Sequence, residues 1–300
     1  MAESTADKLS VAHLQELTYV IAGTQLDAAA EAYSSGLLVI DNYTVFALGG
    51  NANDPNLQDN ICQAKGEKRG AKQPVGWTVP FDERVLSTID VSAVENSPIR
   101  RLLRDPEELT RRIGGLTFIR AAASMSEKKA RQIPDSVIPA DQQTVQIYSP
   151  DGNDNTATLI RRAIDLGAEP VMTSANVSGE PEATDEAGGH RFALREQPPL
   201  PMVVYTSEED KFDRPRGSYP VISVLPDRLR IVRPGCFDVA LLRSLLVGYE
   251  VDVATGDELQ MPKYPNNVLR QKDLPSHMHE LEGAELRAGV LSYLGLSAIK

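Results

Sequence analysis

One local pattern narrows the fold more than any other. Residues 154–166 carry apolar groups at helical spacing behind the candidate caps Asn155 and Thr156. A short apolar strand follows at 170–172, and the chain then turns abruptly polar: Thr173-Ser174-Ala175-Asn176-Val177-Ser178-Gly179-Glu180-Pro181. A helix leading into a short strand that empties into small hydrogen-bonding residues points to an α/β protein, whose ligands sit beyond the carboxyl ends of the strands. Short Ser, Thr and Asn side chains, with backbone N–H groups, suit the oxygens of a phosphate chain. Ser, Asn and Gly are also the common turn formers, and by itself the stretch reads as a plain turn as well.

The rest of the chain keeps to the alternation. Leu9, His13, Leu14, Leu17 and Val20 recur at helical spacing and predict a lead-in helix over 1–25, with a second helix at 26–33. Residues 37–40 form a continuous apolar run, the mark of a strand buried on both faces. The segment 41–50 leaves that strand through Asp41, Asn42, Tyr43 and Thr44 and is expected to be a loop, either lining a site or simply connecting. A helix over 53–65 ends in Lys65-Gly66, and Lys68, Arg69 and Lys72 follow among glycines. Glycine lets a backbone approach a ligand closely, and the cations would meet phosphate or carboxylate oxygens. The same charges also suit a solvated helix C-terminus.

Strands are further expected at 75–79 (with Trp77 in the core), 116–119, 144–149, 202–205, 221–224 and 229–232, and helices at 98–112, 239–246 and 283–294. Residues 121–139 are expected to be an irregular, mobile surface loop, and 182–201 to be loop-rich, with His190 a loop residue beside Gly188-Gly189.

Charge and cysteine usage bound the function classes. The 300 residues carry a formal charge of -11, unlike the footprint of a general nucleic-acid binder. Cys62 and Cys236 lie far apart among small or apolar neighbours and read as reduced, buried thiols of a cytoplasmic protein. No basic-then-apolar run opens the chain, so no signal peptide is expected. No stretch approaches the ~20 apolar residues of a membrane span. His277 and His279 lack nearby partners and read as surface residues, so no metal ligands are assigned.

Several segments, taken in order, resemble the YrdC-like family, whose best-known members are threonylcarbamoyl-adenylate synthases acting in tRNA modification. Asp41-Asn42-Tyr43-Thr44-Val45-Phe46-Ala47-Leu48 stands where the family has Pro-Thr-Asp-Thr-Val-Tyr-Gly-Leu. Lys65-Gly66 matches the start of its Lys-Gly-Arg, with Glu67 in place of the arginine; Lys68, Arg69 or Lys72 is left to supply that cation. Gly114-Gly115-Leu116-Thr117 resembles Pro-Gly-Pro-Leu-Thr, and Ser174-Ala175-Asn176-Val177-Ser178-Gly179 meets Ser-Ala-Asn-x-Ser-Gly in full. Ser218 through Ser223 echoes a Ser-Thr-Val-Val-Asp strand, and Val232-Arg233-Pro234-Gly235 resembles Leu-Arg-x-Gly.

The resemblance implies an α/β fold with a YrdC-like twisted, mixed, open sheet flanked by helices. The domain would span 26–245, with a C-terminal extension over 246–300. It implies an ATP-dependent nucleotidyltransferase that takes ATP, bicarbonate and an amino acid as substrates, with Mg2+ bridging phosphates. Lys65, Arg69, Ser174 and Asn176 would be catalytic; Lys65, Thr173, Ser174, Asn176, Ser218 and Arg233 would hold the ATP phosphates; Tyr43, Thr44 and Tyr148 would face the amino acid. Tyr148 stands where the family has the arginine of Gly-Val-Arg-Val-Pro, and Tyr43 and Phe46 also depart from its pattern. The triphosphate side is thus better kept than the amino-acid side, and the acceptor need not be threonine. Two alternatives remain open, a carbamoyltransferase of the same fold handling carbamoyl-adenylate and a non-catalytic module binding nucleotide or double-stranded RNA. Partner proteins of a tRNA-modification system would be compatible with the first reading. No membrane partner is expected, and the oligomeric state is open.

Overall fold

The computed structural model describes residues 20–22, 25–66, 75–151, 154–205, 215–260 and 268–296. In chain order the elements are β1 (Val20–Ala22), α1 (Leu26–Ser35), β2 (Leu38–Asp41), β3 (Phe46–Asn51), α2 (Leu57–Lys65) and β4 (Gly76–Thr78). Then come α3 (Glu83–Leu86), α4 (Ser97–Leu102), α5 (Pro106–Ile113), β5 (Phe118–Ala122), α6 (Met125–Arg131), β6 (Thr144–Tyr148) and α7 (Asp154–Asp165). The chain finishes with β7 (Pro170–Ser174), α8 (Glu186–Ala193), β8 (Met202–Val204), β9 (Val221–Val224), β10 (Leu229–Arg233), α9 (Val239–Leu245), β11 (Val251–Val253) and α10 (Gly283–Tyr293). Two compact units emerge, each drawn from two stretches of chain: Met1–Gln73 with Thr158–Gly217, and Pro74–Ala157 with Ser218–Lys300.

In the first unit the strands lie in the order β1-β8-β2-β3-β7. β8 runs parallel to β1 and β2, while β3 is antiparallel to both β2 and β7. One face is closed by α1 and α7, whose Ala29, Tyr33, Leu159, Ile160 and Ala163 bury against Leu38, Ile40, Ala47, Met172 and Val203. The other face meets α2 and α8, because neighbouring residues of β3 point opposite ways. A side chain at Gly49 would run into the Tyr33 ring of α1, and one at Gly50 into Leu57 of α2. The expected loop at 41–50 is therefore half strand: glycine is required because the strand is squeezed between helices. The buried Tyr33 hydroxyl donates to the Val171 carbonyl at 2.7 Å. Tyr33→Phe is expected to cost about 0.5–1.5 kcal/mol, the net worth of one buried hydrogen bond. Urea denaturation would read it.

The second unit orders its strands β4-β6-β5-β9-β10-β11. Cross-strand partners Trp77, Ile147, Ile119, Ile222 and Ile231 form one continuous row, each at most 1% exposed. That row is the unit's core ridge, with Trp77 where the sequence placed it. The helix α10 packs on α5 and α9, so the tail after residue 246 is part of this unit's body. Arg287 of α10 fixes it, with Nε donating to the Gly114 carbonyl and Nη2 to the Asp151 carbonyl, both at 2.8 Å. Burial pulls the Arg287 pKa down to about 10, and nearby Asp151 partly offsets that.

Several expectations are corrected. Val20 belongs to strand β1 rather than to a helix; most of the lead-in segment, His13 included, lies outside the described residues. The helix expected over 98–112 is two, because Asp105 caps a new start at Pro106, its carboxylate accepting from the Glu108 amide. The loop expected at 121–139 contains α6, which buries no residue and so shows no apolar stripe. The loop-rich stretch 182–201 contains α8, and His190 is a fully buried helical residue. Cys236 is buried as expected, but Cys62 is only half-buried.

Candidate functional site

The polar strand exit is built on β7. Its register with β3 sets Ser174 opposite Ala47, and the Ala175 amide continues the ladder to the Phe46 carbonyl at 2.8 Å. The exit therefore lies at the same end of the sheet as the turn 42–45 between β2 and β3. Lys65, the last residue of α2, is 3% exposed, and its ammonium donates to the Ser174 carbonyl and to Asn176 Oδ1, the latter at 2.7 Å. Asn176 Oδ1 also accepts from the Ser174 hydroxyl at 2.7 Å. Its amide nitrogen donates back to the Val177 carbonyl at 3.1 Å and the Glu180 carbonyl at 2.8 Å. The Ser178 amide in turn donates to the Lys65 carbonyl at 2.8 Å. One asparagine thus fixes the loop with one end and a buried cation with the other. Gly66 turns the chain at φ 80, a left-handed conformation that glycine adopts without strain.

The turn 42–45 is fixed by Asp41. Its carboxylate accepts from the Tyr43 amide at 3.1 Å and the Tyr205 amide at 3.2 Å. Tyr43 takes φ 61, a left-handed conformation costly for a tyrosine, and its ring stacks on Tyr205 at 6.1 Å between centroids. Strain of this kind, about 1–3 kcal/mol, persists where the surroundings over-determine it, and it clusters at functional sites. Thr44 is 1% exposed, and its hydroxyl has no hydrogen-bond partner among the described residues. Beside Asn176 a cleft of about 230 Å³ opens, lined also by Glu180, Arg191 and Arg195.

The first unit thus brings together Lys65, Ser174 and Asn176 by direct contact. Tyr43 and Thr44 lie at the same sheet end, and Thr173 is one residue back on β7. Arg69, with Glu67, Lys68 and Lys72, lies outside the described residues. Sequence reasoning missed Tyr205 and the structural reach of Glu180, which act through ring and backbone contacts that no motif records.

In the second unit Ser218, Arg233 and Tyr148 gather around Tyr219. Arg233 Nε donates to the Tyr219 carbonyl at 3.0 Å, and the Tyr148 and Tyr219 rings lie 5.2 Å apart. Tyr148 is fully buried, and its hydroxyl donates to the Gly115 carbonyl at 3.2 Å. The Cys236 amide donates to the Ser218 carbonyl at 2.9 Å, fastening the Arg233-Pro234-Gly235 turn to the segment that leads into β9. Among the described residues no cluster of three His, Cys, Asp or Glu could hold a metal ion, and no helix is long and apolar enough to cross a membrane.

Mixed sheets flanked by helices, with the Lys-Gly helix end joined to the Ser-Ala-Asn strand exit, agree with the expectation from the motifs: the chain has a YrdC-like α/β fold. Solved structures carry that likeness. Sua5 from P. abyssi, complexed with L-threonine, matches at a TM-score of 0.56 and 20% identity over 78% of this chain and 62% of that one. A doubly substituted form of the same protein matches at 0.57 and 19% identity, over 78% of this chain and 65% of that one. YciO from E. coli matches at 0.52 and 17% identity, over 74% of this chain and 97% of that one. The chain thus spans less than two thirds of the length of the Sua5 proteins. No family model matches the chain, and neither does any curated protein.

Proposed function

We propose that the protein is an adenylate-forming enzyme that joins bicarbonate, an amino acid and ATP into a carbamoyl-adenylate and releases pyrophosphate. The observation that carries this reading is the buried Lys65 ammonium held by the Ser174 carbonyl and Asn176 Oδ1 at a strand exit. A cation kept out of water acts more strongly on a polyanion than a solvated one, and it needs little reorganisation when charge shifts. In this reading Lys65 meets the triphosphate, assisted by Thr173 and the Ser174 hydroxyl. The turn carrying Tyr43 and Thr44 receives the amino acid, whose identity is left open by the departures at Tyr43, Phe46 and Tyr148.

The chemistry balances in two steps. The acceptor amine attacks the bicarbonate carbon and water leaves, giving a carbamate. A carbamate oxygen then attacks the α-phosphorus, and pyrophosphate leaves. Holding the reactants in line, and neutralising the phosphates, is most of what such a site must do. Mg2+ would enter with the nucleotide, its ligands phosphate oxygens and water. No residue is assigned to it.

Incubation with labelled bicarbonate, ATP, Mg2+ and a panel of amino acids tests the reading. The expected result is pyrophosphate release that requires bicarbonate and one amino acid, with label in the adenylate. No release with any acceptor would sink it. Release that instead required carbamoyl phosphate would establish the carbamoyltransferase alternative.

A further inference from the structure

A polar row crosses the second unit's sheet on the face opposite its isoleucine ridge. Cross-strand partners Gln146, Arg120, Ser223, Arg230 and Asp252 stand side by side, one per strand. The two arginines are treated differently. Arg230 is matched by carboxylates: Asp252 takes Nε and Nη2 at 3.0 Å each, and Glu258 takes Nη1 at 3.1 Å. Arg120 is half-buried and meets only a neutral amide, Gln146 Oε1, which accepts from Nε at 3.2 Å and Nη2 at 2.7 Å. Among the described residues no carboxylate pairs with it. Burial lowers its pKa from the ordinary arginine value.

The geometry leaves a usable edge. A guanidinium has five N–H donors. Gln146 engages two of them along one side, which leaves three, including the end-on pair that matches a carboxylate or phosphate in two parallel bonds. Ser223, the register partner of Arg120 on β9, is a half-buried residue of the same row. Two residues along the same strands, about 7 Å away, stand Phe118, Tyr148 and Val221, and Val221 pairs with Arg233.

We propose that Arg120, held by Gln146 and flanked by Ser223, is a subsite for an oxyanion of a small substrate, either the acceptor's carboxylate or a nucleotide phosphate. The identity of that substrate rests on the function proposed above; the subsite itself does not. Arg230, in the same row, is filled by carboxylates, and Arg287, which pins α10, spends its donors on two backbone carbonyls. Arg120 is left with a neutral orienting partner, so that the incoming anion completes it.

Equilibrium binding to the full chain tests this with three sets of probes: a panel of amino acids, their carboxamides and inorganic pyrophosphate. Arg120→Gln is expected to weaken the wild-type chain's binding of at least one oxyanion probe by about tenfold to a hundredfold. Its thermal midpoint should be unchanged or raised, since a half-buried charge is gone. Gln146→Glu supplies the missing carboxylate from within. It should raise the midpoint by about 2 °C and close the site to the same probe. Loss confined to an amino acid whose carboxamide never binds assigns a carboxylate; loss confined to pyrophosphate assigns a phosphate. The proposal is overturned if no probe binds the wild-type chain, or if both variants bind every probe as the wild type does. It is also overturned if Arg120→Gln lowers the midpoint while leaving affinity untouched. Arg120-dependent binding without bicarbonate-dependent pyrophosphate release would instead refute the enzymatic reading and leave the subsite standing.

Discussion

Lys65→Met is expected to lower bicarbonate-dependent pyrophosphate release by about 10²–10³-fold in kcat, the usual effect of deleting one preorganised electrostatic contact. Methionine keeps the unbranched stem packed at the end of α2 while deleting the charge and its donors. The Ser174 carbonyl and Asn176 Oδ1 then each lose a bond. Asn176 Oδ1 keeps the Ser174 hydroxyl as a donor, so the loss is that of hydrogen bonds from a charged donor, about 1.5–3 kcal/mol, and the relief of a desolvated ammonium offsets part of that. Activity should therefore collapse while the chain remains folded. Two measurements on one preparation separate the roles: steady-state pyrophosphate release and the urea midpoint. A variant that unfolds at low urea but, where still folded, turns over normally would reduce Lys65 to a structural pin for the Asn176 loop. Asn176→Ala provides a graded control, since Ser174 and Lys65 both lose their shared acceptor and Asn176's own anchors to Val177 and Glu180 are lost.

What could be read in the sequence follows from how each element buries itself. β7 and its polar exit were legible because an apolar run changes to hydroxyls and amides within two residues, and the structure makes that change the end of a strand. β3 was not, because Phe46-Ala-Leu-Gly-Gly-Asn shows glycines where a strand pattern wants side chains. The glycines are there because Tyr33 and Leu57 press on the strand from opposite sides, a fact of packing between distant segments. α6 and α8 were missed for want of an apolar stripe. Yet each carried a cap signal: Ser124 accepts from the Glu127 amide and Asp185 from the Gly188 amide. Ser124 with Glu127 three residues on is the helix-start pattern to weigh above periodicity, and Asp185 is a preferred N-cap type. At the site, Lys65 and Asn176 could be named because a motif holds them. Asp41 was visible only as a polar residue leaving a strand, and nothing local showed that its carboxylate ties the Tyr43 turn to Tyr205. Arg120 fell at the boundary between an expected strand, 116–119, and an expected loop from 121, and Gln146 was only one residue of the expected strand 144–149. Their contact, a guanidinium held along one side by a neutral amide, exists only once β5 and β6 are paired.

Gly235→Ala should be among the most damaging single-methyl changes in the second unit. Gly235 takes φ 63, where any other residue is strained, by about 1–3 kcal/mol. The added Cβ would also strike the Ser218 carbonyl oxygen and approach the Pro220 nitrogen and Tyr219 carbonyl carbon at 2.8 Å each. Those are backbone atoms and cannot rotate aside, so relief requires moving the chain; overpacking of this kind adds about 1–3 kcal/mol. The expected loss is about 2–6 kcal/mol in all, read as a lower urea midpoint at unchanged m-value. The displacement has a functional consequence, because the same turn sets Arg233, whose Nε reaches the Tyr219 carbonyl at 3.0 Å, and the same backbone carries Ser218. The resemblance implies that both residues hold the ATP phosphates, so the folded fraction of Gly235→Ala is expected to show weakened ATP binding as well. Oxyanion binding at Arg120 should survive, since β5, β6 and β9 keep their pairing on the far side of the bulge between Ile231 and Arg233. If the variant is as stable as the wild type, the close approach of this turn to the backbone at 218–220 is wrong. If it is unstable yet binds ATP normally once folded, Arg233 and Ser218 do not serve the nucleotide.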